Sequence, residues 1–175
     1  KLEKGETAIT DSPATDKRQR KALWWVLAIN FSFFIIEITT GLISRSMGLV
    51  ADSLDMLADT LVYGMSLIVV GATAFKKKRV AMASGYFQIF LSVIGLYEVV
   101  KRFFGLEGVP DHALMITVSA LALIANAISL VILQHTRSKE AHIQASIIFS
   151  SNDVIINLGV IAAGLLVMWL GTQIP

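Results

Sequence analysis

The chain has 175 residues, of which 55% are hydrophobic and 16% charged, with a mean hydropathy of +0.69 and a net charge of +2. A soluble domain carries about 25% charged residues, so this composition, gathered into long apolar runs, excludes a soluble globular domain. So small a net charge excludes a nucleic-acid-binding surface, and the absence of cysteine excludes disulfides, thiolate metal sites and cysteine nucleophiles.

Residues 1–16 are polar and of mixed charge, with none of the features of a cleavable signal peptide. Residues 1–21 read as a cytoplasmic N-terminal segment and residues 22–175 as a membrane domain. Five apolar runs follow, near Ala22–Ile43, Leu49–Ala74, Val80–Val100, Ala113–Leu133 and Ile143–Leu170. Each is long enough to cross about 30 Å of hydrocarbon at a rise of about 1.5 Å per residue. A barrel strand alternates polar and apolar residues and these runs do not, so they read as helices. The predicted fold is all-α: a polytopic membrane helical bundle with five spans visible of six.

Basic residues orient the bundle. Lys17, Arg18, Arg20 and Lys21 precede the first span, Lys76, Lys77, Lys78 and Arg79 separate the second from the third, and Arg137 and Lys139 separate the fourth from the fifth. The other two connections offer only Arg45, then Lys101 and Arg102. The excess places the N-terminus in the cytoplasm. Trp24, Trp25 and Trp169 stand near span ends, as interfacial anchors do. The turn-like Gly171–Pro175 reads as leading toward a sixth span that the chain lacks.

The spans carry Glu37, Asp52, Asp55, Asp59 and Asp153, with Glu98 near the end of the third, but no Lys, Arg or His, because His112, His135 and His142 are expected in loops. An Asp at a helix centre costs about 2.5–3.5 kcal/mol on the insertion scale. Without a cationic partner, such a carboxylate must hold a proton, a bound cation or water, and each of these belongs to an ion pathway. Asp55 and Asp59 are four residues apart, and Asp52 is three before Asp55, so all three share a helical face. A divalent cation between Asp55 and Asp59 removes their mutual repulsion, and carboxylates suit hard or borderline divalent ions. The structural alternative is a protonated, hydrogen-bonded pair. For Asp52, capping or gating stands level with ligation. Glu37 lies seven residues from Asn30 on one face, where hydrogen bonding between helices is the plainer reading and gating or proton coupling the functional one.

In the fifth span, Asp153 and Asn157 are four apart and share a face, with Asn152 turned aside by about a quarter turn. Asp153 reads as a metal ligand. For Asn152 and Asn157, ligation and helix–helix hydrogen bonding remain equal alternatives. Asn126 and Ser129 of the fourth span read as a packing face.

These residues resemble the cation diffusion facilitator family. The run from Asn30 through Phe33, Glu37, Gly41, Ser44 and Ser46 is similar to its opening span, Leu49–Asp59 to its second helix, and the run from Asp153 through Asn157 and Gly159 to Ala163 to its fifth. The resemblance implies proton-coupled efflux of divalent ions such as zinc, cobalt, iron or manganese, which are substrates and not prosthetic groups. It implies six helices in a homodimer and a four-ligand site shared by helices two and five, matched here by Asp55, Asp59 and Asp153. The fourth position, four residues before Asp153, holds Phe149, which cannot ligate a metal. Asn152, Asn157 or water would then complete the shell, and histidine restored at 149 is expected to raise affinity. The family's sixth helix and cytosolic C-terminal domain find no counterpart in the chain. The expected location is multi-pass in the bacterial inner (plasma) membrane.

Two other classes compete with this reading. An intramembrane aspartyl protease pairs aspartates through a Gly-x-Gly-Asp motif, which is absent here, so the expectation is that the chain is not an enzyme. A non-transporting membrane interaction protein with a degenerate metal site is the remaining alternative, and Phe149 keeps it open.

Overall fold

Backbone amides inside hydrocarbon have no water to pair with, so a chain this apolar satisfies them within helices. The computed structural model describes residues 13–44, 47–103 and 112–170. Among them are five α-helices and no strand: α1 (Pro13–Ser44), α2 (Met47–Ile68), α3 (Ala74–Phe103), α4 (His112–His135) and α5 (Ala141–Leu170). The shortest, α2, has 22 residues and is about 33 Å long, enough to cross a bilayer. Pro13–Thr40 and Ile116–His135 are the two described stretches apolar enough to do so by length and composition.

Several boundaries differ from those read in the sequence. α1 begins at Pro13, a residue whose fixed φ and missing N–H suit a first helical turn, so the division placed at residue 21 falls inside a helix. α2 ends at Ile68, six residues before the end of its apolar run. The chain turns over Val69–Thr73, with the amide of Val69 donating to Ser66 O at 3.2 Å and that of Ala72 to Val69 O at 2.9 Å. Gly71 takes φ +79°, and a Cβ there would stand 3.0 Å from an Asp16 carboxylate oxygen, so the turn requires glycine twice over. The cluster Lys76–Arg79 is not a loop but the first turns of α3. Nor are the histidines in loops: His112 opens α4, His135 closes it, and His142 lies in the first turn of α5. Arg45 and Gly171–Pro175 fall outside the described residues.

α1 packs chiefly on α2 and α4 on α5, and the two pairs join through α1 against α4, with α3 laid on α5. The outer surface is apolar: Ile43 and Ile68 are each 80% exposed and Trp169 82%. Meanwhile Asn30, Glu37, Asp59, Ser66, Asn126, Ser146 and Ser150 are buried. Apolar outside with polar within is the reverse of a soluble domain, and it is stable where the surroundings are lipid.

One end of the bundle is tied by polar contacts. Gln19 Nε2 donates to Ser138 Oγ at 3.1 Å, linking α1 to the α4–α5 connection, and Arg20 Nη2 donates to Val70 O at 2.7 Å, linking α1 to the α2–α3 turn. Lys77 of α3 pairs with Glu140, whose second oxygen lies 3.5 Å from Nδ1 of the fully buried His142. The start of α1, the α2–α3 turn and the α4–α5 connection therefore gather at the same end, as an up-and-down bundle requires. A little deeper, Ser66 Oγ of α2 meets Ser146 Oγ of α5 at 3.0 Å.

Candidate metal centre

The aspartates of α2 follow one another at steps of three and four residues, so the helix brings them out on a single face. That face is turned to α5 and α4. Asp52, Asp55, Met56 and Asp59 of α2, Asn126 of α4, and Asp153, Ile156 and Asn157 of α5 line one small cleft. Its free volume, about 10 Å³, is that of about one water molecule. Asp59 forms the inner wall at 1% exposure, Asp52 and Asp153 are half-buried, and Asp55 is exposed.

Asp59 Oδ2 accepts a hydrogen bond of 2.9 Å from the Tyr63 hydroxyl, one turn along α2. The carboxyl groups of Asp59 and Asp153 line the same cleft, close enough for each to act on the other's charge. Two carboxylates attract only through something positive held between them, either a proton carried by one or a cation taken by both. The second oxygen of Asp59 is buried with no hydrogen-bond partner. No ion pair among the described residues reaches Asp52, Asp55, Asp59 or Asp153. No cluster of three or more His, Asp or Glu among the described residues stands close enough, as arranged, to hold a metal ion. A cation entering the cleft therefore has to draw the carboxylates together.

The remaining sequence-derived candidates divide. Asn157 is buried and lines the cleft, while Asn152 is half-buried and does not. Glu37 is buried at 4% exposure with both carboxyl oxygens unpartnered. It stands outside the cleft, where Asp52 and Asp55 are the charges acting on it. On the face that they share, Asn30 makes the helix–helix hydrogen bond, donating to Ser129 Oγ of α4 at 3.2 Å as well as to Val26 O at 2.9 Å, whereas Glu37 makes none. Phe149 lies in the apolar core with Leu23, Val26, Tyr63, Leu133 and Ile143 and is not among the residues that line the cleft. Two residues of the site escaped the sequence reading. Tyr63 sits four after Asp59, a spacing that pointed to it, whereas Asn126 was read as packing.

No curated protein matches the chain. Residues 23–174 match the model of the Cation efflux transmembrane domain, which covers every element that lines the cleft. With an all-helical bundle, an apolar exterior and that match over most of its length, the chain belongs to the cation efflux family of membrane cation transporters.

Proposed function

We propose that this protein exports a divalent metal ion of the zinc, cobalt, iron or manganese class in exchange for protons, with Asp55, Asp59 and Asp153 as its ligands. The observation that carries this reading is the convergence of carboxylates from α2 and α5 on one cleft with no cationic side chain to neutralise them. In the empty site a proton shared by Asp59 and Asp153 removes their repulsion. The ligating form is the carboxylate, so an arriving metal displaces that proton. An inward proton gradient then drives metal outward by exchange at one site. Asn157 lies where it can support the shell, Asn152 is a reserve position one step around the helix, and Asp52 and Glu37 stand toward the other side of Asp55 as gating or proton-coupling groups.

In this reading all five helices cross the membrane, the tied end of the bundle is cytoplasmic, and a sixth helix and a second copy complete a homodimer in a bacterial inner membrane. The deciding experiment is metal flux into proteoliposomes under an imposed pH gradient. Metal uptake that collapses with the gradient and is lost in Asp153→Ala supports exchange. A fold that binds lipid and partner but moves no metal is the second reading, favoured by Phe149 at the family's ligand position, and absence of flux in the parent chain would establish it.

A further inference from the structure

We infer that Asn126 of α4 supplies the fourth protein ligand through its side-chain carbonyl oxygen, giving an all-oxygen site that prefers manganese(II)-like hard ions over zinc. The inference rests on the aspartate site proposed above and adds a helix to it. Asn126 is 2% exposed, lines the same cleft as Asp55, Asp59, Asp153 and Asn157, and has a buried Oδ1 with no hydrogen-bond partner. A buried amide oxygen left unpaired costs about 1–3 kcal/mol, a cost that a bound cation removes.

The backbone holds Asn126 at this level. Ser150 Oγ of α5 donates to Asn126 O at 3.2 Å, and one turn along α4, Ser129 is bound to Asn30 of α1. The buried face of α4 runs Ser119, Ala122, Asn126, Ser129, Leu133. Small residues flank Asn126 on that face, so α4 approaches closely and no other side chain of α4 brings an amide to the cleft. If its role were only to glue helices together, its oxygen would accept from a neighbouring helix, and it does not.

The donor chemistry follows. Three carboxylates, the amide oxygen of Asn126 and water make an all-oxygen set, with the thioether of Met56 on the cleft's lining left outside it. Carboxylate, carbonyl and water ligands suit magnesium, calcium and manganese, whereas imidazole favours zinc. With position 149 facing the core, no imidazole among the described residues reaches the cleft.

The test uses the full chain in nanodiscs, with manganese(II) binding followed by electron paramagnetic resonance and zinc(II) by competition. Asn126→Ala is expected to weaken manganese binding about tenfold or more, and Asn126→Asp to retain it. Asn126→His is expected to shift preference toward zinc, and its bound manganese to show spin-echo modulation from a directly coordinated nitrogen that the parent lacks. A packing residue would not produce that modulation. Parent affinity in Asn126→Ala, or bound manganese in Asn126→His without the nitrogen signal, overturns the inference. If Asn126→Ala does not fold, the Asp and His variants still decide it. Asp59→Ala separates the two layers of the argument. Loss of binding there with none in Asn126→Ala refutes Asn126 alone, and parent binding in Asp59→Ala refutes the site and the inference together.

Discussion

Replacing Asp59 by alanine tests the site most directly, because its effects on stability and on transport are opposite in kind. In the fold, the change leaves the Tyr63 hydroxyl without its 2.9 Å acceptor, at about 1–3 kcal/mol for a buried donor. It also removes a carboxylate that costs about 2.5–3.5 kcal/mol to place in a span. These terms nearly cancel, so the thermal midpoint should move by no more than about 4 °C. Metal binding has no such compensation. A unit charge pair 4 Å apart is worth about 4 kcal/mol at an effective dielectric of 20, and a divalent ion doubles that before desolvation is subtracted. A net loss of only about 2.8 kcal/mol already lowers affinity about a hundredfold. The assay is paired: differential scanning of purified protein, and flux in proteoliposomes with a trapped metal indicator. Tyr63→Phe, which removes the hydrogen bond but keeps the charge, should still transport. Parent flux in Asp59→Ala, or a collapse of the midpoint that explains lost flux by unfolding, would refute the reasoning.

Other tests reach different parts of the molecule. Lys77→Ala should destabilise the bundle by about 3 kcal/mol, because it removes the lysine that pairs with the largely buried Glu140 carboxylate. Lys77→Ala combined with Glu140→Gln should recover part of the loss in thermal denaturation, and an effect below about 1 kcal/mol would show that the pair is dispensable. Phe149→His should leave metal affinity unchanged and cost about 1–3 kcal/mol by setting a polar ring in the Leu23–Tyr63 core; tighter binding by calorimetry would mean that position 149 reaches the cleft after all. Metal binding should release protons and weaken as pH falls, since protons compete for the ligating carboxylates. Calorimetry in buffers of different ionisation enthalpy reads that release, and buffer-independent heats would end the exchange mechanism.

The helices were legible because lipid leaves the chain little choice: an apolar run of 20 or more residues has to pair its own backbone. Their ends were less so. The run that names α2 continues through Val69 and Val70, which are as apolar as the helix before them, and only Gly71 marks the turn. Lys76–Arg79 look like a loop because they are charged, but at the start of a helix Lys76, Lys78 and Arg79 carry their charge outward on long stems, and Lys77 is neutralised by Glu140. His142 was hidden by the same habit of reading polarity as loop. It is fully buried, and its nearest charge, Glu140, lies two residues away in sequence and so off the helical repeat.

The same limit decides how much of the site could be seen in advance. Spacing within one helix is written in the sequence, so Asp52, Asp55 and Asp59 declared a common face, as did Asp153 and Asn157. Asn152, one residue before Asp153, is turned by about 100°, which is enough to take it out of the cleft. What spacing cannot give is the rotation of one helix against another. Asn126 offered no acidic neighbour on α4 to mark its face, and only the packing of α4 on α5, held at Ser150, sets it on the lining of the cleft. Phe149 shows the converse. Four residues from Asp153, it seemed to belong to the site by spacing, yet an aromatic ring gains more by joining Leu23, Val26 and Leu133 than by lining a polar cleft. That turn of α5 packs into the core, and it is Asn126 of α4 that lines the cleft beside the aspartates.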